Sequence, residues 1–147
     1  MLVSEENILE LIPQRYPMVM INCLVSCNEK QAVSQLTIRR DNIFLNNDGL
    51  TSSGMMEAMA QTAAARTGYL LRNQPESGNK KVPTGVIGSI KYFRLYCQPQ
   101  IGSVVVTTIN IEHEVLQATV VKGIVEVDGK LAAECDLQIF LTEDQQV

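Results

Sequence analysis

The sequence predicts the α+β class, with an antiparallel sheet of about five to six strands wrapped around one long central helix. Three observations point there. Apolar and polar residues alternate in two stretches near the start of the chain and in four stretches of its second half, the period-two signature of strands. Between them, "GMMEAMAQTAAARTGYLLRN" (residues 54–73) is rich in small and sulfur-bearing residues and carries little polar character before Arg66, as a helix inside a protein does. A run of strands interrupted by a single long helix fits α+β rather than an alternating α/β chain.

The elements follow in order. Ser4 is placed to cap a short helix running to about Ile12, where Pro13 stops it. "MVMINCLVSC" reads as a strand. "QAVSQLTIRR" sets Ala32, Ser34, Leu36 and Ile38 against Val33, Gln35 and Thr37, and the connection "NEK" joins the two as a hairpin. The polar segment "DNIFLNNDGLTSS" is expected to be a loop. The central helix follows, with small residues at Gly54, Ala58, Ala60, Ala63, Ala64 and Ala65 that let a sheet close around it; Ala58, Met59 and Ala63 are expected to be buried. "NQPESGNKKVP" is an exposed loop by its Pro, Gly, Ser and Lys content. Four β-branched strands complete the chain: "TGVIGSIKYFRLY", "SVVVTTINIEHEV", "LQATVVKGIVEV" and "KLAAECDLQIFLT", with Asp-Gly in "VDGK" turning the last pair. A sheet curled around one helix leaves edges uncovered, so a dimer or larger homo-oligomer is expected.

With 147 residues, the chain is read as one domain over 1–147. A net charge of -4 and the absence of Trp argue against a nucleic-acid partner, because there is neither a basic stripe for phosphates nor a stacking surface. The N-terminus lacks the basic-then-apolar order of a signal peptide, and no apolar run is long enough to span a membrane. A cytoplasmic location is expected. There Cys23, Cys27, Cys97 and Cys135 are free thiols; Cys23 and Cys27, on one strand face, stand roughly 13 Å apart, too far for a disulfide. Scattered cysteines and a sole histidine, His113, argue against a metal site.

The chemistry concentrates on Glu57. Two readings are open. If Gly54 caps the helix, Glu57 stands at its third position, where Glu commonly bonds back to the cap N–H. Alternatively it is a working carboxyl on a buried helix, its pKa raised by desolvation so that it can donate a proton near neutrality. Gln61 lies one turn on and on the same face, placed to orient it. Backbone N–H groups around Gly54 and Met55, at the positive end of the helix, are placed to receive a ligand oxygen.

Three motifs, in order and spanning about residues 8 to 103, carry a family resemblance. "ILELIPQRYPMVMIN" resembles the opening of the 3-hydroxyacyl-[acyl-carrier-protein] dehydratases, hotdog-fold proteins whose usual text is Leu-Pro-His-Arg-x-Pro before an apolar strand. "MMEAMAQTAAA" resembles the start of their central helix, and "IGSIKYFRLYCQPQIGS" their third strand and its turn, here Pro99 to Gly102. Two departures stand out. The loop before the helix, which in the common dehydratases carries a catalytic His, is here "NIFLNNDGLTSS", shorter and without His, and Gln14 replaces the His of the opening motif. The short loop is more similar to a branch found with aryl-polyene and flexirubin-type pigment clusters.

The resemblance implies a fold, a ligand class and roles. The ligand is an acyl thioester on the phosphopantetheine arm of an acyl-carrier protein or CoA, with no cofactor and no metal. The reaction removes water from a 3-hydroxyacyl chain, with Glu57 as acid/base residue. Gly54, Met55, Gln61 and Gly88 contact substrate, and Asp48 and Gln14 are auxiliary. His113 matches no family motif and is expected to be structural or solvated. Lys80, Lys81, Lys91 and Arg94, around the third strand of the motif, are placed to steer an acidic carrier protein. Two rivals stand beside dehydration: a non-catalytic subunit that partners an active dehydratase, which the missing His favours, and an acyl thioesterase using the helix carboxylate.

Overall fold

The structure, a computed structural model, describes residues 1–74 and 84–142. Lys80 and Lys81 therefore lie outside the described residues. After a short 3-10 turn at Ile8–Glu10 come β1 (Cys23–Cys27), β2 (Gln31–Thr37), β3 (Leu45–Asn46), β4 (Gly49–Leu50), α1 (Ser52–Arg72), β5 (Thr84–Leu95), β6 (Val104–Val115), β7 (Ala118–Val127) and β8 (Lys130–Thr142). Six strands form one sheet in the order β1-β2-β6-β7-β8-β5, and β3 and β4 make a separate two-stranded piece. Every pairing in the sheet is antiparallel.

The helix is buried because its composition permits close approach. Ala58, Met59 and Ala63 are buried as expected, as are Met55, Ala64 and Ala65. Its first half packs with Leu36, Val105, Ile109, Val121, Val125, Leu137 and Ile139 from the concave face of the sheet. Its second half packs through Ala64 and Ala65 on Ile8, Leu11, Ile12, Val19, Ile21 and Leu24. The alternation in β2 has the expected phase: Ala32, Ser34, Leu36 and Ile38 all point inward.

Two expected elements are shorter. The helix from Ser4 to Ile12 is only the three-residue 3-10 turn, preceded by Asn7 with no side-chain cap bond. The chain before it pairs with a strand instead, Leu2 and Val3 N–H donating to the Leu24 carbonyl and Val3 accepting from Leu24 N–H. The strand expected from Met18 begins only at Cys23, because the backbone of Met18 and Met20 bonds a helix side chain rather than a neighbouring strand. The loop before the helix holds a small hairpin, β3 and β4, turning at Asn47 (φ 58°) and Asp48.

Candidate functional site

The helix starts at Ser52, with Thr51 as its cap; the Thr51 hydroxyl accepts from Gly54 N–H at 3.1 Å. Gly54 is therefore not the cap, and Glu57 lies in the second turn, out of reach of a capping box. The N–H groups expected to greet a ligand are also taken. Gly54 N–H serves the Thr51 hydroxyl and Met55 N–H donates to the Thr51 carbonyl at 3.1 Å. Gly54 is further covered by the preceding loop: a Cβ there would sit 2.7 Å from Phe44 Cβ and 2.8 Å from Leu50 Cδ1, so only glycine lets the loop lie so close. The donors left without an intrahelical acceptor in the first turn are, by position, those of Ser52 and Ser53.

Glu57 and Gln61 meet as their spacing requires. Gln61 Nε2 donates to Glu57 Oε2 at 2.6 Å and to the Met18 carbonyl at 2.7 Å, while Gln61 Oε1 accepts from Met20 N–H at 2.7 Å. Gln61 is fully buried and both ends of its amide are used. The amide is thus fixed by two backbone groups of one segment, and it fixes the carboxyl in turn. That segment follows a cis Tyr16–Pro17 peptide and borders a groove of about 230 Å³ lined by Tyr16, Pro17, Val19, Leu36, Arg39 and Asn42, among others. Burial pushes the Glu57 carboxyl above its ordinary range, and the bond from Gln61 opposes the shift without cancelling it. A half-buried acid that holds its proton to higher pH than a free carboxyl, oriented by a rigid donor, is equipped for proton transfer.

The remaining expected residues are spread around this pair. Asp48 is exposed at the β3–β4 turn, where its carbonyl accepts from Ile101 N–H at 2.8 Å; among the described residues no hydrogen bond links it to Glu57. Gly88 is the extra residue of a bulge in β5, between the pairs Ile87–Ile139 and Ser89–Gln138, and a Cβ there would run into the Phe140 ring. Gln14 sits at the turn leading to Met18, with its side-chain oxygen buried. Lys91 and Arg94 are exposed on the edge strand β5. His113 is exposed on β6. Its neighbour Glu114 accepts from Arg66, nine residues beyond Glu57 on the helix (66 − 57), which is roughly 13 Å along the axis. His113 is not a partner for Glu57.

Sequence reasoning missed two residues. Thr51 is signalled by "TSSG", a hydroxyl residue immediately before the start of the apolar helix, where an N-cap belongs. Arg66 is buried and donates to the carbonyls of Asn28 (3.2 Å) and Glu29 and to Glu114 Oε1 at 2.7 Å, tying the β1–β2 turn and β6 to the helix. No local pattern marks an arginine for that duty. Among the described residues no group of three or more His, Cys, Asp or Glu is placed to hold a metal ion.

A six-stranded antiparallel sheet around one buried helix, with a Glu and a Gln one turn apart near the helix start, defines a hotdog-fold protein of the dehydratase type. The chain belongs to the ApeP-like family: the family model, described as ApeP dehydratase, matches residues 6–147. It is 28% identical over 137 residues to the 3-hydroxyacyl-[acyl-carrier-protein] dehydratase FabZ of Streptococcus pneumoniae, covering 90% of this chain and 93% of that protein. Among solved structures, the dehydratase heterocomplex ApeI:P from Xenorhabdus doucetiae superposes with a TM-score of 0.82 at 20% identity, covering 93% of this chain and 91% of its own. A hypothetical thioesterase with coenzyme A from Streptococcus pneumoniae shares the fold more loosely, with a TM-score of 0.60 at 10% identity over 84% and 87% of the two chains. No helix among the described residues is long and apolar enough to cross a membrane.

Proposed function

We propose that this chain is a 3-hydroxyacyl-thioester dehydratase-like protein of fatty-acid or polyene-type biosynthesis, with Glu57 as its proton-transfer group. The observation that carries the reading is the fixed Glu57–Gln61 pair, 2.6 Å apart, with burial raising the carboxyl's pKa. Dehydration breaks the C2–H and C3–O bonds of the acyl chain. As the acid/base residue, Glu57 takes up the C2 proton while the C2–H electrons form the C2–C3 double bond, and it hands that proton to the departing C3 hydroxyl, which leaves as water. The thioester oxygen, where charge collects as C2 loses its proton, needs donors. Gly54 and Met55 spend their N–H groups on the cap, so the first-turn N–H groups of Ser52 and Ser53 take that role, joined by Gly88, whose bulge leaves its peptide outside the β5–β8 ladder. The substrate is carried on an acyl-carrier protein or CoA, and Lys91 and Arg94 on the exposed edge strand favour an acidic carrier. That edge also leaves Val86 (50% exposed), Ile90 (40%) and Tyr92 (75%) uncovered, which supports at least a dimer. Four unpaired cysteines suit the cytoplasm.

A second reading has one observation in its favour. The only histidine of the chain, His113, is exposed on β6 beside Glu114, which pairs with Arg66 well beyond Glu57 on the helix, so within one chain His113 is not placed as the base at C2. In this reading the chain is one subunit of a hetero-oligomer and the partner completes the site, in keeping with the ApeI:P heterocomplex of Xenorhabdus doucetiae. Incubation of the purified chain with 3-hydroxyacyl-carrier protein, followed by mass spectrometry of the acyl group, separates the readings. Loss of one water supports the dehydratase; an unchanged acyl group supports the subunit that needs a partner; release of free acid replaces both with a thioesterase.

A further inference from the structure

We propose that Asn42 is a positioning residue for Glu57: it ties the loop before α1 to the segment that anchors Gln61, and so closes a ring of contacts around the carboxyl. Its effect on turnover rests on the dehydratase reading above.

The ring can be followed bond by bond. Glu57 Oε2 accepts from Gln61 Nε2 at 2.6 Å, and Gln61 Oε1 accepts from Met20 N–H at 2.7 Å. The Met20 side chain is fully buried and accepts through Sδ from Asn42 Nδ2 at 3.5 Å. Asn42 Oδ1 in turn accepts from Phe44 N–H at 2.8 Å, and the Phe44 carbonyl accepts from the N–H of Thr51, the helix cap, at 2.9 Å. Phe44 lies against Gly54, and from there α1 leads back to the carboxyl within one turn.

Two features make Asn42 the joint of this ring. Its amide works at both ends, the oxygen within its own loop and the nitrogen on a segment 22 residues away. An aspartate would supply the acceptor without the donor, and an apolar side chain neither. Its backbone is held as well: Asn42 N–H donates to the Arg39 carbonyl at 3.0 Å, which fixes the loop where the chain leaves β2. A thioether is a weak acceptor, so the bond to Met20 adds little stability by itself. Its consequence is geometric, one arrangement of loop and segment on either side of the carboxyl. Burial raises the pKa of Glu57 and the Gln61 bond lowers it, with no contribution from a charged side chain among the described residues. The titration midpoint of Glu57 therefore reports how well the ring keeps water from the carboxyl.

Carbon-13 NMR of the Glu57 carboxyl across pH, on the full chain, reads that midpoint without substrate, and Glu57→Gln identifies the resonance. Turnover of 3-hydroxyacyl-carrier protein is measured on the same samples. Asn42→Leu, close in volume and without polar atoms, should lower the midpoint toward the ordinary carboxylate range. It should also cut kcat about tenfold or more and leave KM within about twofold. In a Glu57→Gln background the same change should lower kcat no further, because residues that act as a unit are not additive. Asn42→Ser stands in if the Leu variant does not fold: its hydroxyl still accepts from Phe44 N–H but is too short to reach Met20. A folded variant whose midpoint is not lowered overturns the proposal even where its melting temperature drops, because Asn42 then supports the loop alone. A wild type that turns over no thioester removes the dehydratase reading, and the midpoint still decides whether Asn42 sets the carboxyl.

Discussion

Replacing Gln61 by Leu, close in volume and without polar atoms, tests whether the amide is the clamp between helix and N-terminal segment. Three groups lose their partner at once. Met20 N–H is fully buried and has no route to water, so its loss should cost about 1–3 kcal/mol. The Met18 carbonyl belongs to a residue 41% exposed and rehydrates, at about 1 kcal/mol or less. The half-buried Glu57 carboxyl loses its donor, about another 1 kcal/mol. The total is about 2–5 kcal/mol, which for a chain of this size lowers the melting temperature by roughly 4–20 °C. Thermal and urea unfolding of wild type and variant, monitored by circular dichroism, measure it. A loss below about 1 kcal/mol would mean that the segment is held by its apolar contacts alone and that the amide does not fix the carboxyl.

Arg66→Met should be milder despite the buried charge. Asn28 and Glu29 are exposed and Glu114 is half exposed, so all three partners rehydrate, while Met fills the space and the buried charge disappears; unfolding should show a loss of at most about 2 kcal/mol, and a loss above about 4 kcal/mol would show that the ion pair itself holds the β1–β2 turn. The pH dependence of Glu57 has a definite sign. Its folded pKa is raised by burial, so its contribution to stability is complete below the ordinary carboxylate range and is lost as pH rises through the raised value. The melting temperature of Glu57→Gln relative to wild type should therefore climb from acid to neutral pH; a difference that stays flat would show that the carboxyl is not desolvated.

Residues whose partners are local, or whose side chains repeat with a fixed period, are legible in the sequence alone. The inward face of β2 follows from alternation, and the burial of α1 from its run of small residues. Gln61 meeting Glu57 follows from helical spacing. What escapes depends on contacts distant in the chain. Met18 and Met20 look like strand residues, but their backbone groups are taken by Gln61, 43 and 41 residues away, so the strand begins late. The helix N-terminus looks open to a ligand in the sequence. In the fold, Thr51 occupies its donors and Phe44 and Leu50 of the preceding loop cover Gly54. The buried oxygen of Gln14 and the buried charge of Arg66 are likewise properties of packing, with no periodic trace.

The central claim, that Glu57 transfers protons during loss of water, is tested most directly by the turnover of 3-hydroxyacyl-carrier protein by wild type and Glu57→Gln. Melting is recorded on the same samples, with a partner subunit present if the chain alone is inactive. Glutamine keeps the shape and most of the hydrogen bonding but has no ionisable proton, so turnover should fall by about 100-fold or more. Melting should stay level or rise, since a buried amide is easier to hold than a buried charge. Turnover unchanged by the substitution would contradict the claim and leave Glu57 as a structural residue of the helix.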